Sequence, residues 1–204
     1  GTNAWATNTC KIGTVEYESV AAAIAAVPKN DVPTTIEMIA DEEDVVLSSG
    51  SYFSIGVAQN VILDLNGHNL MASHDETDGT QSDMITNYGT FTIQDSQDTQ
   101  KNGSAGTIKF STTRGSKNQT ADVIVNKGTL VIESGCLVNW TNKKDQFAYV
   151  IDNMSQSSSA FCTIKGGKLI SYFNVIRQSF ASTTYDNVVN VLGGILISMP
   201  DYGT

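Results

Sequence analysis

The amino-acid sequence repeats itself, and this repetition limits the possible folds more than any other feature. Residues 85–93 and 124–132 share the pattern apolar-x-Asn-x-Gly-Thr-apolar-x-Ile, and residues 161–171 align with 188–198 around a double glycine. Units of this length cannot bury a core of their own, so they are stable only when they stack on one another. The chain is therefore predicted to be a solenoid.

Apolar residues alternate with polar ones inside each unit, as in Phe91 and Ile93 or Leu130 and Ile132. A period of two predicts short strands with one buried face. The 17 Val and 17 Ile against 9 Leu agree with this, because β-branched residues suit pleated surfaces. One core residue from each unit is expected to form a column with steps of 28, 39, 32 and 27 residues: Leu65, Ile93, Ile132, Ile164 and Val191. The predicted fold is all-β, a right-handed single-stranded parallel β-helix of about six coils.

The N-terminal segment has a different pattern and is predicted to cap the solenoid. Residues 11–17 indicate a strand and a turn, and residues 18–27 an amphipathic helix that ends before Pro28. We therefore divide the chain into an N-terminal tail and capping strand and helix (1–33) and the β-helix (34–204). Only residues 199–204 follow the last coil, too few to cover it, so we expect the chain to be part of a longer, multidomain protein.

The charge balance excludes several classes of partner. The net charge is −9, with 12 basic and 21 acidic residues, which disfavours nucleic acid and anionic membrane surfaces. No apolar run approaches the length of a membrane helix, so direct membrane insertion is not expected. The three cysteines, Cys10, Cys136 and Cys162, show no metal-binding spacing and allow at most one disulfide.

Four segments carry a resemblance to a known family: residues 12–24, 64–70, 87–95 and 126–135. They resemble the pectin-lyase-like parallel β-helix repeats of secreted, adhesin-like surface proteins from gut bacteria. The resemblance implies an extracellular location, either secreted or attached to the cell surface. It implies no particular reaction, although the superfamily includes polysaccharide lyases and glycosidases.

Acidic and basic residues on the outer face are the candidates for catalysis. The column beside the core contains Asp64, and the next column contains Glu133 followed by Lys165 one coil later. Sugar cleavage requires an acid and a base at a defined separation, which makes these three residues the catalytic candidates. The alternative is a simple cross-strand ion pair between Glu133 and Lys165 and a structural turn after Asp64.

An acidic loop provides the candidates for metal binding. Asp75, Glu76, Asp78 and Asp83 concentrate oxygen ligands of the kind that calcium prefers, but not with EF-hand spacing. A solvated acidic loop explains the same residues. No other cofactor is indicated.

Aromatic residues suggest a carbohydrate-binding surface. Trp140, Tyr172 and Met199 fall in one column of the repeat, so Trp140 and Tyr172 are expected to be neighbours on successive coils. Tyr149 and Asn142 lie close to them in sequence and complete the predicted ligand-binding set. Alternatively, these rings pack beneath long loops as a secondary core.

Two further residue types are predicted to lie inside the solenoid. Asn87 and Asn126 occupy equivalent positions and are expected to stack as an internal amide ladder at a bend. Cys162 shares a column with Leu130 and Val189 and is predicted to be a small buried apolar residue.

Three functions remain open. The sequence favours a non-catalytic extracellular β-helix module that is adhesin-like or binds glycans or host surface molecules. The second is a polysaccharide lyase or glycoside hydrolase, or a fragment of one, acting on acidic or plant polysaccharide. The third is a purely structural stalk or spacer.

Overall fold

The structure is a computed structural model that describes residues 7–77, 80–113, 120–141, 148–180 and 183–199. These residues form a parallel β-helix of five complete turns and the first two strands of a sixth. The predicted fold class is confirmed, while the predicted right-handed winding remains a prediction.

Two short strands and a helix precede the coils: β1 (Cys10–Ile12), β2 (Val15–Tyr17) and α1 (Val20–Ala26). Each complete turn contributes one strand to each of three sheets. In chain order, the first three turns are β3 (Pro33–Met38), β4 (Glu42–Leu47) and β5 (Phe53–Ile55); β6 (Asn60–Asp64), β7 (Leu70–Asp75) and β8 (Ile85–Asn87); and β9 (Thr90–Gln94), β10 (Thr107–Thr113) and β11 (Ile124–Asn126). The remaining strands are β12 (Thr129–Ile132), β13 (Cys136–Thr141) and β14 (Tyr149–Ser155); β15 (Ala160–Ile164), β16 (Lys168–Ser171) and β17 (Asn174–Phe180); and β18 (Asn187–Val191) and β19 (Ile195–Ser198).

Equivalent strands of successive coils pair in parallel. The first sheet has the order β18-β15-β12-β9-β6-β3-β1-β2, the second β19-β16-β13-β10-β7-β4, and the third β17-β14-β11-β8-β5. Inward side chains therefore stack at the spacing of paired strands, roughly 4.8 Å. In the second sheet this gives an aliphatic ladder of Leu70, Ile108, Leu137, Leu169 and Leu196.

The predicted core column of the first sheet is wrong by two residues in the second coil. Leu63, rather than Leu65, pairs with Ile93. The reason is the corner that follows β6, which spans residues 65–69, whereas the fourth, fifth and sixth coils turn within 133–135, 165–167 and 192–194. Leu65 is fully buried inside this longer corner, where Asn66 and Gly67 adopt positive φ. As a result, Asp64 pairs with Gln94 and belongs to the column of Glu133 and Lys165.

The N-terminal residues form a hairpin of β1 and β2 and the helix α1. Strand β1 pairs antiparallel with both β2 and β3, so it continues the first sheet at its N-terminal edge. Ser19 caps α1 by accepting a hydrogen bond from the Ala22 N–H, which satisfies a backbone donor at the helix start. Val20 and Ile24 of the helix are buried in the same core as the coils. The cap thus covers the first coil.

The predicted amide ladder is confirmed and is longer than expected. Asn87 Nδ2 donates to Asn126 Oδ1 at 2.7 Å, Asn126 Nδ2 to Asn153 Oδ1 at 2.6 Å, and Asn153 Nδ2 to Asn187 Oδ1 at 2.7 Å. The first three asparagines are completely buried where the third sheet bends into the next coil. Each of these amides also donates to a backbone carbonyl of the first sheet, two coils further along the chain. The ladder therefore ties successive coils together inside the molecule.

The glycine of the Asn-x-Gly-Thr pattern has a steric role. A Cβ on Gly128 would lie 2.3 Å from the backbone oxygen of Gly89, so neighbouring coils approach too closely for any side chain at this position.

Cys10, Cys136 and Cys162 are all buried and unpaired. Cys162 lies between Leu130 and Val189 as predicted, and burial raises the pKa of its thiol to about 12. Within the described ranges, no helix has the length and apolar character needed to span a membrane.

Candidate functional site

The outer side of the second sheet carries a pair of aromatic rings. Trp140 is the last residue but one of β13 and Tyr172 follows β16, and their ring centroids lie 6.2 Å apart at an interplanar angle of 72°. Val138 and Ile170, which pair across the same two strands, lie on this side as well and are partly exposed. We call the surface formed by Val138, Trp140, Ile170, Tyr172, Ile197 and Met199 the aromatic face.

The aromatic face is held in place from beneath. Asn139, between Val138 and Trp140, is completely buried and donates to the backbone oxygens of Ala121 and Tyr149. Ser171, the residue before Tyr172, is also buried and donates to the backbone oxygen of Ala148. Each ring therefore directly follows a buried residue of its strand whose side chain is fixed by hydrogen bonds.

The other two predicted ligand-binding residues lie elsewhere. Tyr149 is only 5% exposed, because its ring packs against Phe173 and beneath the guanidinium of Arg177, 4.4 Å from the ring centroid. Tyr149 therefore supports the region from inside and is not part of the aromatic face. Asn142 lies outside the described residues.

The three candidate catalytic residues lie beside a groove of about 500 Å³ on the outer side of the first sheet. Glu133, Gln94 and Lys101 line it, and Asp64 belongs to the same column of the sheet. Asp64 accepts hydrogen bonds from the N–H groups of Asn66 and Ser96 and from the Gln94 amide. Both oxygens of its carboxylate are thus already bonded within the fold.

Glu133 is paired with two lysines. Its carboxylate lies 2.7 Å from Lys165 Nζ and 3.6 Å from Lys101 Nζ. The Lys165 hydrogen bond, together with the charges of both lysines, lowers the pKa of Glu133. The carboxylate is therefore ionised at neutral pH and holds no proton to donate to a leaving group.

The loop between β9 and β10, residues 95–106, forms one wall of this groove. Asp98 Oδ2 accepts the N–H groups of Gly103 in the loop and of Gly135 in the fourth coil. The Lys101 oxygen accepts the N–H of Gly167 in the fifth coil. The loop therefore bonds to the two coils that follow its own, and we call it the clasp.

The structure describes three of the four calcium candidates. Asp75 Oδ1 accepts the N–H of Thr77, Glu76 is buried, and Asp78 lies outside the described residues. Asp83 lies apart from them and is bonded to the N–H of Asp122. Among the residues that the structure describes, no group of three or more His, Cys, Asp or Glu side chains is arranged to hold a metal ion.

Sequence reasoning missed a cluster of charged residues at the third sheet. Asp83, Asp122 and Asp152 lie together with Arg177, which is bonded to Asp152 and lies 4.0 Å from Asp122. Asp122 and Asp152 are almost completely buried. These acids are far apart in sequence, so only the pairing of the coils brings them together.

The fold and these surfaces define a parallel β-helix protein with an aromatic face on one sheet and an ion-paired groove on another. Comparison with protein-family models, curated proteins and solved structures finds no match to this chain.

Proposed function

We propose that this chain is a non-catalytic, extracellular β-helix module of a bacterial surface protein, and that its aromatic face binds carbohydrate. The observation that carries the proposal is the contact between Trp140 and Tyr172, two rings on successive coils with centroids 6.2 Å apart. The sequence resemblance to adhesin-like surface repeats supports the bacterial and extracellular setting.

Two properties of the aromatic face suit a sugar polymer. The C–H groups of a pyranose ring pack against aromatic rings, and two rings one coil apart offer contacts to successive parts of a chain. Aromatic side chains also have few rotatable bonds, so little entropy is lost on binding. Because Trp140 lies in β13 and Tyr172 directly follows β16, the strands set the positions of both rings before the ligand arrives.

The bonding of the groove residues supports a non-catalytic role. A glycosidase needs a carboxylic acid that donates a proton and a second carboxylate that acts as base or nucleophile. Asp64 is fully engaged by donors from its own fold, and Glu133 is ionised between two lysines.

One observation favours the second candidate, a polysaccharide-cleaving enzyme. Asp64 and Glu133 share a column two coils apart, which corresponds to roughly 10 Å along the sheet, near the upper end of the separation used by inverting glycosidases. Glu133→Gln tests this role directly. Cleavage of a polysaccharide by the unmodified chain, with its loss in the variant, would replace the binding proposal with an enzymatic one.

Native affinity electrophoresis through gels that contain plant or mucin polysaccharides tests the proposal. We expect at least one polymer to retard the chain, and Trp140→Ala and Tyr172→Ala each to weaken binding by about tenfold, as the loss of one aromatic contact implies. Phe161→Ala is a matched control, because Phe161 belongs to the same coil as Tyr172 and is 40% exposed against 39%, but lies on the first sheet.

Equal loss of binding in the control and in the aromatic-face variants would contradict this location of the site. Migration unaffected by every polymer would contradict carbohydrate binding and would favour the structural spacer.

A further inference from the structure

The charged cluster at the third sheet has a repeating geometry. Asp83 Oδ1 accepts the N–H of Asp122 at 3.0 Å, and Asp122 Oδ1 accepts the N–H of Tyr149 at 3.0 Å. Each carboxylate thus bonds the backbone of the following coil, immediately before β8, β11 and β14 continue the sheet. We call Asp83 and Asp122 the acid ladder.

One carboxylate oxygen of the acid ladder has no hydrogen-bond partner. Asp122 Oδ2 is buried and has no hydrogen-bond partner, and the nearest cation, the Arg177 Nη2 atom, lies 4.0 Å away. Arg177 is already bonded to Asp152 Oδ2, and Ser179 donates to Asp152 Oδ1 at 2.7 Å. The guanidinium is therefore committed to the neighbouring carboxylate.

Counted over the residues that the structure describes, the charges that face Asp122 do not balance if every acid is ionised. Asp83 lies on the preceding coil, Tyr149 and Asp152 on the following one, and Arg177 on the coil after that, while Lys127 acts on Asp83 from a greater distance. Three carboxylates then share one guanidinium, whose side chain is partly exposed. An uncompensated charge in such a place is costly, and a carboxylic acid escapes that cost by keeping its proton.

We propose that a proton on Asp122 Oδ2 holds the third sheet together in mildly acidic solution, and that its loss in alkaline solution loosens the sheet at β8, β11 and β14. The module is thus built to be most stable on the acidic side of neutrality. This inference concerns a different sheet from the aromatic face and does not depend on carbohydrate binding.

The direction of the pH effect follows from linkage. Burial, with the charges of Asp83 and Asp152, raises the pKa of Asp122 well above its ordinary value, and burial raises the pKa of Asp83 to about 6. In each case the folded state holds a proton that the unfolded state has released, so stability falls as pH rises from about 4 through the folded-state pKa. For Asp83 this window is pH 4 to 6, and Asp122 extends it upward.

Thermal unfolding of the unmodified chain and of Asp122→Asn at pH 5 and pH 8 tests the proposal. Asparagine keeps the oxygen that accepts the Tyr149 N–H and replaces Oδ2 by a neutral group. We expect the unfolding midpoint of the unmodified chain to fall between pH 5 and pH 8, and that of Asp122→Asn to fall by less than half as much. The control is Asp186→Asn, the same substitution at an exposed residue, which should leave the pH dependence unchanged.

The proton itself has a spectroscopic signature. We expect the infrared carbonyl band of a protonated carboxylic acid at pH 6 to be reduced in Asp122→Asn and unchanged in Asp186→Asn.

If Asp122→Asn does not fold, hydrogen exchange of the unmodified chain tests the proposal instead. After correction for intrinsic rates, the amides of Asp122 and Tyr149 should lose protection at pH 8 while the buried second-sheet amides keep it. The proposal would be overturned if the unfolding midpoints of Asp122→Asn and Asp186→Asn had the same pH dependence. It would also be overturned if the amides of the second and third sheets lost protection equally at pH 8.

Discussion

Asparagine repeats over three successive coils at the third sheet and bonds on to Asn187 at the start of β18, whereas aspartate repeats over only two coils. The amide ladder of Asn87, Asn126, Asn153 and Asn187 bonds each side chain to the next. The acid ladder bonds each side chain to the backbone of the next coil instead, and it leaves Asp122 Oδ2 without a partner. The difference arises because an amide both donates and accepts, so identical copies satisfy one another, while an ionised carboxylate only accepts. A stack of identical residues therefore extends only when the residue complements itself.

The largest effect is expected when an aspartate is placed in the amide ladder. Asn126→Asp removes the donor that bonds Asn153 and the Phe161 oxygen, and places a carboxylate against both acceptors. We expect the free energy of unfolding at pH 7 to fall by about 3 kcal/mol or more, because buried partners are left unpaired beside a buried charge. Urea denaturation measures the change. Asn174→Asp, at an exposed position of β17, is the control, and a similar loss there would contradict the explanation.

A second test removes the cation from the acid ladder. Arg177→Met leaves Asp122 and Asp152 without a nearby positive charge. We expect a loss of about 2 kcal/mol at pH 8, below the usual cost of breaking a buried pair because the arginine side chain is partly exposed. The loss at pH 5 should be smaller, since Asp83, with a pKa of about 6, is then mostly protonated. Urea denaturation at pH 5 and pH 8 measures both losses in free energy of unfolding. A larger loss at pH 5 than at pH 8 would contradict this prediction.

The smallest effect is expected at the end of the amide ladder. Asn187 accepts from Asn153 and donates to the backbone oxygens of Asn153 and Ser179, but it is only half-buried. Water can replace its bonds, so Asn187→Ala should cost about 1 kcal/mol. Urea denaturation of Asn187→Ala and of Asn126→Asp compares their losses in free energy of unfolding. Equal losses would show that burial does not determine how much each asparagine of the ladder contributes to stability.

Much of the fold follows from local sequence patterns. The alternation of Phe91 with Ile93 and of Leu130 with Ile132 predicts strands, and the Asn-x-Gly-Thr pattern predicts that Asn87 stacks on Asn126. Both are confirmed, because each depends on residues that are close in sequence and repeated in the same order. Asn153 continues the ladder without the Gly-Thr that marks the earlier members, so the pattern does not reveal it.

The register of the first sheet and the charged cluster at the third sheet were harder to predict. The column through Leu65 is wrong because the corner after Asp64 is longer than those of the fourth to sixth coils, and corner length is not encoded in strand periodicity. Asp122 and Asp152 stand in unrelated local contexts, so nothing in the sequence near either residue indicates that both face Arg177. The adjacency of Trp140 and Tyr172, by contrast, follows from the alignment of Asn139 with Ser171, which the structure pairs.

The clasp has a consequence for how the molecule responds to mechanical load. A plain solenoid pulled at its ends can peel away one coil at a time, since each coil bonds only to its neighbours. Asp98 and Lys101 bond the third coil to Gly135 of the fourth and Gly167 of the fifth. The clasp therefore adds bonds among these three coils beyond strand pairing, and separating the coils under tension requires those bonds to break as well.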